Sequence, residues 1–265
     1  MNQLNKLKEK HVLITGASSG IGEALAFALA EQKAIPVLVA RTENKLIEIA
    51  SRIDKMYGIK PITYPVDITD RKEWQKGMDQ ILKECGKIDI LINNAGVGYF
   101  EAFDQLNWEQ IDNMIRLNLD SLFFTTYYTL PTLMNQPVAH IVNIGSQAGK
   151  IATPKSAVYS ATKASVISFS NALRMELEGK IPVTSVNIGP VKTPFFEIAD
   201  PKGDYQKSVT KYMLDPKDVA NHIIKSLFKN KREINLPFWM HAGSKLYQNF
   251  PRIMETILKP AFKKK

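Results

Sequence analysis

Cysteine is nearly absent: Cys85 is the one thiol in 265 residues, so no internal disulfide can form. Histidine is scarce too, at four residues, and no His, Cys and Asp residues fall at metal-ligand spacing, so no metal site is expected. No run reaches the roughly 18 consecutive apolar residues of a membrane-spanning helix. The first ten residues carry charge without an apolar core and are not expected to act as a signal peptide. These absences point to a reducing, cytoplasmic setting. Acidic residues are in deficit, 26 Asp and Glu against 35 Lys and Arg, for a formal net charge of +9. Such an excess suits an anionic partner. No RNA-binding aromatic motif accompanies it, so nucleic acid is not expected as one. Low-complexity tracts and internal repeats are also missing, which argues for a single domain over 1–265.

What is present is an ordinary globular composition, 45% hydrophobic and 23% charged. It is organised as short apolar runs alternating with longer stretches of helical period. The runs 11–15, 35–40, 62–66, 88–92, 140–144, 183–188 and 234–236 read as strands. Segments 21–33, 43–57, 71–85, 108–135, 156–178 and one from Asp215 to Lys229 read as helices, with Pro131 expected to kink or end the fourth. Continuous apolar strands separated by helices indicate a parallel sheet covered on both faces. The expected fold class is therefore α/β: a Rossmann-like, doubly wound sheet in three layers, with ligands beyond the carboxyl ends of the strands.

Chemistry-bearing residues do gather after strands. The first strand leads into Gly16, Ser18, Ser19, Gly20, Ile21 and Gly22. Glycines let a diphosphate approach the backbone, and the helix that follows offers free N–H groups and a positive dipole end. The spacing departs from the Gly-x-Gly-x-x-Gly fingerprint. The second strand ends in Ala40 and Arg41, where an acidic residue would accept from a ribose hydroxyl. A guanidinium instead suits a 2′-phosphate, so NADP(H) is preferred to NAD(H) as the cofactor. Asp67 and Ile68 follow the third strand. Asp67 reads either as an acceptor for an adenine amino group or as the N-cap of the next helix. Asn94, Ala95 and Gly96 follow the fourth strand, and Ser146 and Gln147 the fifth.

Tyr159 and Lys163 are four residues apart, hence on one helix face. A phenol has a pKa of about 10, and a neighbouring ammonium favours its ionised form. A downward shift of about three units, worth roughly 4 kcal/mol, would let it serve as an acid or base near neutral pH.

Thr15-Gly-x-x-x-Gly-Ile-Gly22, Asn93-Asn-Ala-Gly96, Asn118, Ser146 and Tyr159-x-x-x-Lys163 together resemble the short-chain dehydrogenase/reductase family, over roughly residues 8–240. The resemblance implies hydride transfer between a nicotinamide and a carbonyl or secondary alcohol. Tyr159 would be the acid/base, with Lys163 lowering its pKa and holding the nicotinamide ribose. Ser146 would bond the substrate oxygen, with Gln147 beside it. Asn118 would hold a water that relays protons, and Asn94 and Asp67 would contact the adenosine half. Val191 and Thr193 follow the sixth strand, and Thr193 would reach the carboxamide. Ile188 stands where the family usually has proline. Family members are usually homodimers or homotetramers.

The stretch 194–214, with Phe195, Phe196, Tyr205, Tyr212 and Met213, sits where the family has its substrate lid and suggests a small hydrophobic carbonyl or alcohol. Residues 242–265 form a basic amphipathic extension, with Leu246, Phe250, Ile253, Met254, Ile257, Leu258 and Phe262 at helical spacing, interrupted by Pro251 and Pro260 and ending in Lys263–Lys265. It could pack on the fold, cover the site, meet another subunit or lie on an anionic membrane. The leading expectation is an NADP(H)-dependent reductase. The alternatives are a non-catalytic NADP-binding sensor or scaffold and a membrane-surface reductase of lipid-type ketones. Replacing Ala40 by Asp is expected to shift the ratio of kcat/KM values toward NAD(H) (an unchanged ratio would show that this position does not discriminate).

Overall fold

The computed structural model describes residues 6–262. Expectations placed on the first five residues and on Lys263–Lys265 lie outside the described residues. Seven strands, β1 (His11–Thr15), β2 (Ile35–Ala40), β3 (Ile62–Pro65), β4 (Ile90–Asn93), β5 (His140–Ser146), β6 (Val183–Ile188) and β7 (Glu233–Leu236), form one parallel sheet in the order β3-β2-β1-β4-β5-β6-β7. The helices between them are α1 (Gly20–Glu31), α2 (Glu43–Tyr57), α3 (Arg71–Cys85), α4 (Trp108–Ile115), α5 (Ser121–Met134), α6 (Ala157–Glu176), α7 (Phe195–Ala199), α8 (Asp204–Val209), α9 (Pro216–Ile224), α10 (Phe238–Asn249) and α11 (Pro251–Phe262).

Alternation along each strand feeds both faces of the sheet. Val12 and Ile14 of β1 point into one core with Leu25 and Leu29 of α1 and Val219 and Ile223 of α9. Leu13 points into the other, with Trp74, Met78 and Ile81 of α3 and Leu173 of α6. The chain starts in the middle at β1, runs outward to β3, then crosses back to β4. The strand order therefore reverses between β1 and β4, which opens a crevice at their carboxyl ends. Thr15 and Asn94 stitch that point together. The Thr15 hydroxyl accepts from the Asn94 and Ala95 amides at 3.1 Å, and Asn94 Nδ2 donates to the carbonyls of Thr15 and Gly16 at 2.9 and 3.0 Å.

Several element boundaries differ from the pattern. The expected helix over 108–135 is two helices joined by a π-helical turn, Arg116–Asp120; a period of 3.6 cannot register one inserted residue. Pro131 neither ends nor breaks α5. It lies on the exposed face, where solvent can take the carbonyl that its missing N–H leaves unpaired. β4 begins at Ile90, not Ile88, because Asp89 turns inward: its buried carboxylate accepts from Lys10 Nζ at 2.6 Å and from the His11 amide at 3.0 Å. α9 stops at Ile224 rather than Lys229, and hydrogen-bonded turns follow. Pro251 occupies the first position of α11, where a missing N–H is harmless, and α11 runs on through Pro260. The C-terminal helical pair begins at Phe238, earlier than the pattern places it.

His140, at the foot of β5, is fully buried. Its Nδ1 accepts from the Phe228 amide at 2.8 Å, and its Nε2 lies 2.9 Å from the Thr184 hydroxyl, which itself donates to the Lys231 carbonyl. This fixes the neutral Nε2–H tautomer, and burial pushes its pKa down to about 4. The folded chain resists a proton that the unfolded chain accepts near pH 6.5, so stability is lost as pH falls from about 6.5 through about 4. The loss should total on the order of 3 kcal/mol. Urea unfolding of the wild type and of His140→Asn checks this. The variant is expected to be less stable at pH 7 but to show a shallower decline on acidification, and an equal decline in both would refute the assignment.

Candidate active site

A cleft of about 670 Å³ opens along the carboxyl ends of the strands. One end is the glycine turn between β1 and α1. Gly20 has φ of 59°, and a Cβ there would lie 2.8 Å from Thr193 Cγ2, so the loop after β6 rests directly on this turn. At Gly22 a Cβ would meet the Gly16 carbonyl oxygen at 2.2 Å, which a side chain cannot do. Ser19 precedes α1 without capping its first-turn amides, and Ser18, Ser19 and Ile21 line the cleft. A tight turn with helix amides facing a cleft fits a diphosphate.

The adenosine end follows. Ala40 and Arg41 close β2, and Arg41, Thr42 and Lys45 line the rim. Arg41 Nη1 is 3.9 Å from Asp67 Oδ2, with both side chains substantially exposed. Asp67 does not cap α3, the second of its two readings. Asp70 does, accepting from the Lys72 and Glu73 amides at 3.0 Å, while Asp67 Oδ1 accepts from the Thr69 amide and hydroxyl. Ile68 is buried beneath it. Asn94, Ala95 and Gly96 form the floor, and Val191 and Thr193 the opposite wall. The donor set therefore fits a nicotinamide dinucleotide, with Arg41, Lys45 and Asp67 together at the adenosine end.

The reactive end combines β5, α6 and the π-helical turn. Ser146 is the last residue of β5, in register with Ile188 of β6. Its hydroxyl accepts from the Ala148 amide at 3.0 Å and donates to the Ile188 carbonyl at 3.3 Å. Lys163 Nζ donates to the Ile144 carbonyl at 2.9 Å and lies 5.9 Å from the Tyr159 ring centre. Asn118 is buried with its amide fully engaged: Oδ1 accepts from the Val97 amide at 2.8 Å, and Nδ2 donates to the Val97 carbonyl and the Thr162 hydroxyl. A Cβ on Gly96 would lie 3.2 Å from Asn118 Oδ1 and 3.3 Å from Lys163 Nζ, which shows how tightly these three segments converge. Gln147 Nε2 donates to the Asn187 carbonyl at 2.8 Å, and its buried Oε1 has no partner.

One expectation is reversed. The ammonium of Lys163 does not bring the Tyr159 phenol down. Burial pushes it up to about 12, against a smaller downward pull from the neighbouring Ser146 hydroxyl. Burial also lowers Lys163 to about 8. At neutral pH the pair is a phenol and an ammonium.

The burial comes from the lid, which packs on Tyr159. Phe100 lies 5.5 Å from Tyr159 and 5.1 Å from Tyr205, ring centre to ring centre, and Phe195 lies 5.8 Å from Tyr159. Phe100 was not singled out from the sequence, though it stands four residues after Gly96. The far wall is formed by Met254 and Leu258 of α11, from the extension for which covering the site was one reading, and by Trp239, Met240 and Gly243 of α10, of which Trp239 and Met240 were not singled out. Their apolar spacing was visible, but not which body it would meet.

A doubly wound sheet with a glycine turn at the switch point and a Ser, Tyr and Lys cluster across the cleft defines a nucleotide-binding oxidoreductase fold. Residues 10–202 match the short chain dehydrogenase family model, and the chain belongs to that family. It is 37% identical to an uncharacterized oxidoreductase of Staphylococcus saprophyticus, over 84% of this chain and 92% of that one. It is 35% identical to the ketoacyl reductase HetN of a Nostoc strain, over 86% and 78% respectively. The closed form of a serine dehydrogenase complexed with NADP+ is 30% identical over 84% of this chain and 94% of that one, with a TM-score of 0.74. Solved neighbours also include a complex with NADH.

Gly22→Ala is expected to force the turn open. Affinity for NADPH, read by calorimetry, should fall roughly tenfold or more, with a lower Tm. Unchanged binding would show that the turn is not the dinucleotide cradle.

Proposed function

We propose that the protein is an NADP(H)-dependent reductase of a hydrophobic carbonyl compound. The observation that carries this reading is a buried, neutral Tyr159 lining one cleft with Ser146 and with the ammonium of Lys163. Bound along the glycine turn, a reduced nicotinamide supplies the hydride. The residues of this chain do the rest. Ser146 and Tyr159 donate to the carbonyl oxygen as negative charge builds there, so they favour the transition state over the ground state. The Tyr159 proton then passes to that oxygen. An alkoxide is comparable in basicity with hydroxide, whose conjugate acid has a pKa of about 15.7, so a phenol near 12 still gives up its proton downhill.

Lys163 keeps a positive charge beside the ribose position, and Asn118 holds residues 96–97 against α6. Arg41, with Ala40 in place of an acid, supports a 2′-phosphate and hence NADP(H). Phe100, Phe195, Phe196, Trp239, Met254 and Leu258 give the substrate end an aromatic and aliphatic lining. The unpaired Oε1 of Gln147 offers an acceptor to a donor group on the substrate. A 3-ketoacyl compound is one chemistry that fits, and the Nostoc relative is named a ketoacyl reductase.

Tyr159→Phe keeps the ring packing and removes the acid. Turnover of NADPH with a ketone panel should fall about 10²–10⁴-fold while NADPH affinity is kept. In the wild type the reduction rate should hold through neutral pH and drop as pH rises through about 8, where Lys163 loses its proton. Full turnover by Tyr159→Phe would sink the assignment and favour a non-catalytic scaffold.

A further inference from the structure

The C-terminal helices have two apolar sides. Met240, Gly243, Met254 and Leu258 face the cleft. Phe238, Trp239, Leu246, Phe250, Ile253 and Ile257 are each more than half exposed. On α11 the apolar residues Ile253, Met254, Ile257 and Leu258 recur at i, i+3 and i+4 and make one continuous stripe. The protein covers only part of its width, since Met254 and Leu258 are half-buried while Ile253 and Ile257 are not. Trp239 stacks edge-on with the exposed Tyr212 at 5.6 Å, so the apolar rim continues onto the lid. An apolar surface this broad needs another apolar phase.

Charge selects what that phase is. Between Phe238 and Lys259 the cations are Lys245, Arg252 and Lys259, all exposed and none in a salt bridge among the described residues. The one acid is Glu255, which accepts from the Tyr247 hydroxyl at 3.0 Å. The sequence beyond adds Lys263, Lys264 and Lys265. A second copy seated on this face by two-fold symmetry would set like charges against each other. An anionic bilayer complements both the cations and the apolar residues. No described helix is long and apolar enough to cross a membrane, so the contact is in the plane of the surface.

We propose that α10 and α11 dock the protein on an anionic bilayer, with the cleft opening toward the acyl region between α11 and the lid, so that the substrate is a carbonyl on a long acyl chain drawn from the membrane. The substrate part of this proposal rests on the carbonyl-reductase reading; the docking part does not. A reducible lipid would enter between Met254 and Leu258 on one side and the lid on the other, without passing through water.

The test is co-sedimentation of the full chain with vesicles of phosphatidylcholine alone, or of phosphatidylcholine and phosphatidylglycerol in equal amounts. The doubly substituted Ile253→Ser/Ile257→Ser chain is run alongside. Neither residue lines the cleft. The wild type is expected to pellet at least roughly tenfold better with the anionic vesicles, to be released by high salt, and to lose that binding in the double variant. Tm and NADPH turnover on a short, water-soluble ketone should be unchanged by the substitutions, while turnover of a vesicle-borne long-chain ketone falls. Loss of all turnover with pelleting intact would sink the reductase reading and leave the docking standing. Equal pelleting of the two chains, or no pelleting together with a dimer that the substitutions dissociate in light scattering, would overturn the proposal.

Discussion

Desolvation at the start of α6 sets the protonation of the two side chains on which the site depends. Tyr159 is pushed up to about 12 and Lys163 down to about 8, so near neutral pH the helix presents a proton donor and a cation one turn apart. A buried ammonium is costly unless it is hydrogen-bonded. Here the Ile144 carbonyl near the end of β5 takes it at 2.9 Å. The lysine is thus tied to the same strand whose last residue is Ser146.

The rest of the molecule serves that arrangement. Reversal of strand order between β1 and β4 opens the crevice, and the Thr15 and Asn94 hydrogen bonds hold its two lips in register. Gly20 and Gly22 bring a helix terminus to the cleft floor without side chains in the way. The aromatic cluster of Phe100, Phe195 and Tyr205 excludes water from Tyr159 and at the same time shapes the substrate end. One set of rings therefore governs both the acidity of the donor and the chemistry of what can sit beside it.

Much of this was legible in the sequence. Seven apolar runs became seven strands, and Gly16, Asn94, Ser146, Tyr159 and Lys163 converge on one cleft as the motif order implied. Three features were not legible, each for a physical reason. The π-helical turn that carries Asn118 differs from an α-helix by one residue, which apolar periodicity does not resolve. The acidity of Tyr159 depends on rings far from it in sequence, so spacing to Lys163 alone gave the wrong sign. The wall formed by α10 and α11 was visible as an amphipathic pattern, but a pattern does not say which surface its apolar side will meet.

The account turns on Tyr159 being a phenol that burial keeps protonated. The most direct measurement is the tyrosinate absorbance of the wild type minus that of Tyr159→Phe, followed as pH rises. The account predicts no Tyr159 signal until the pH approaches about 12. A tyrosinate lost on that substitution and already present at neutral pH would contradict it.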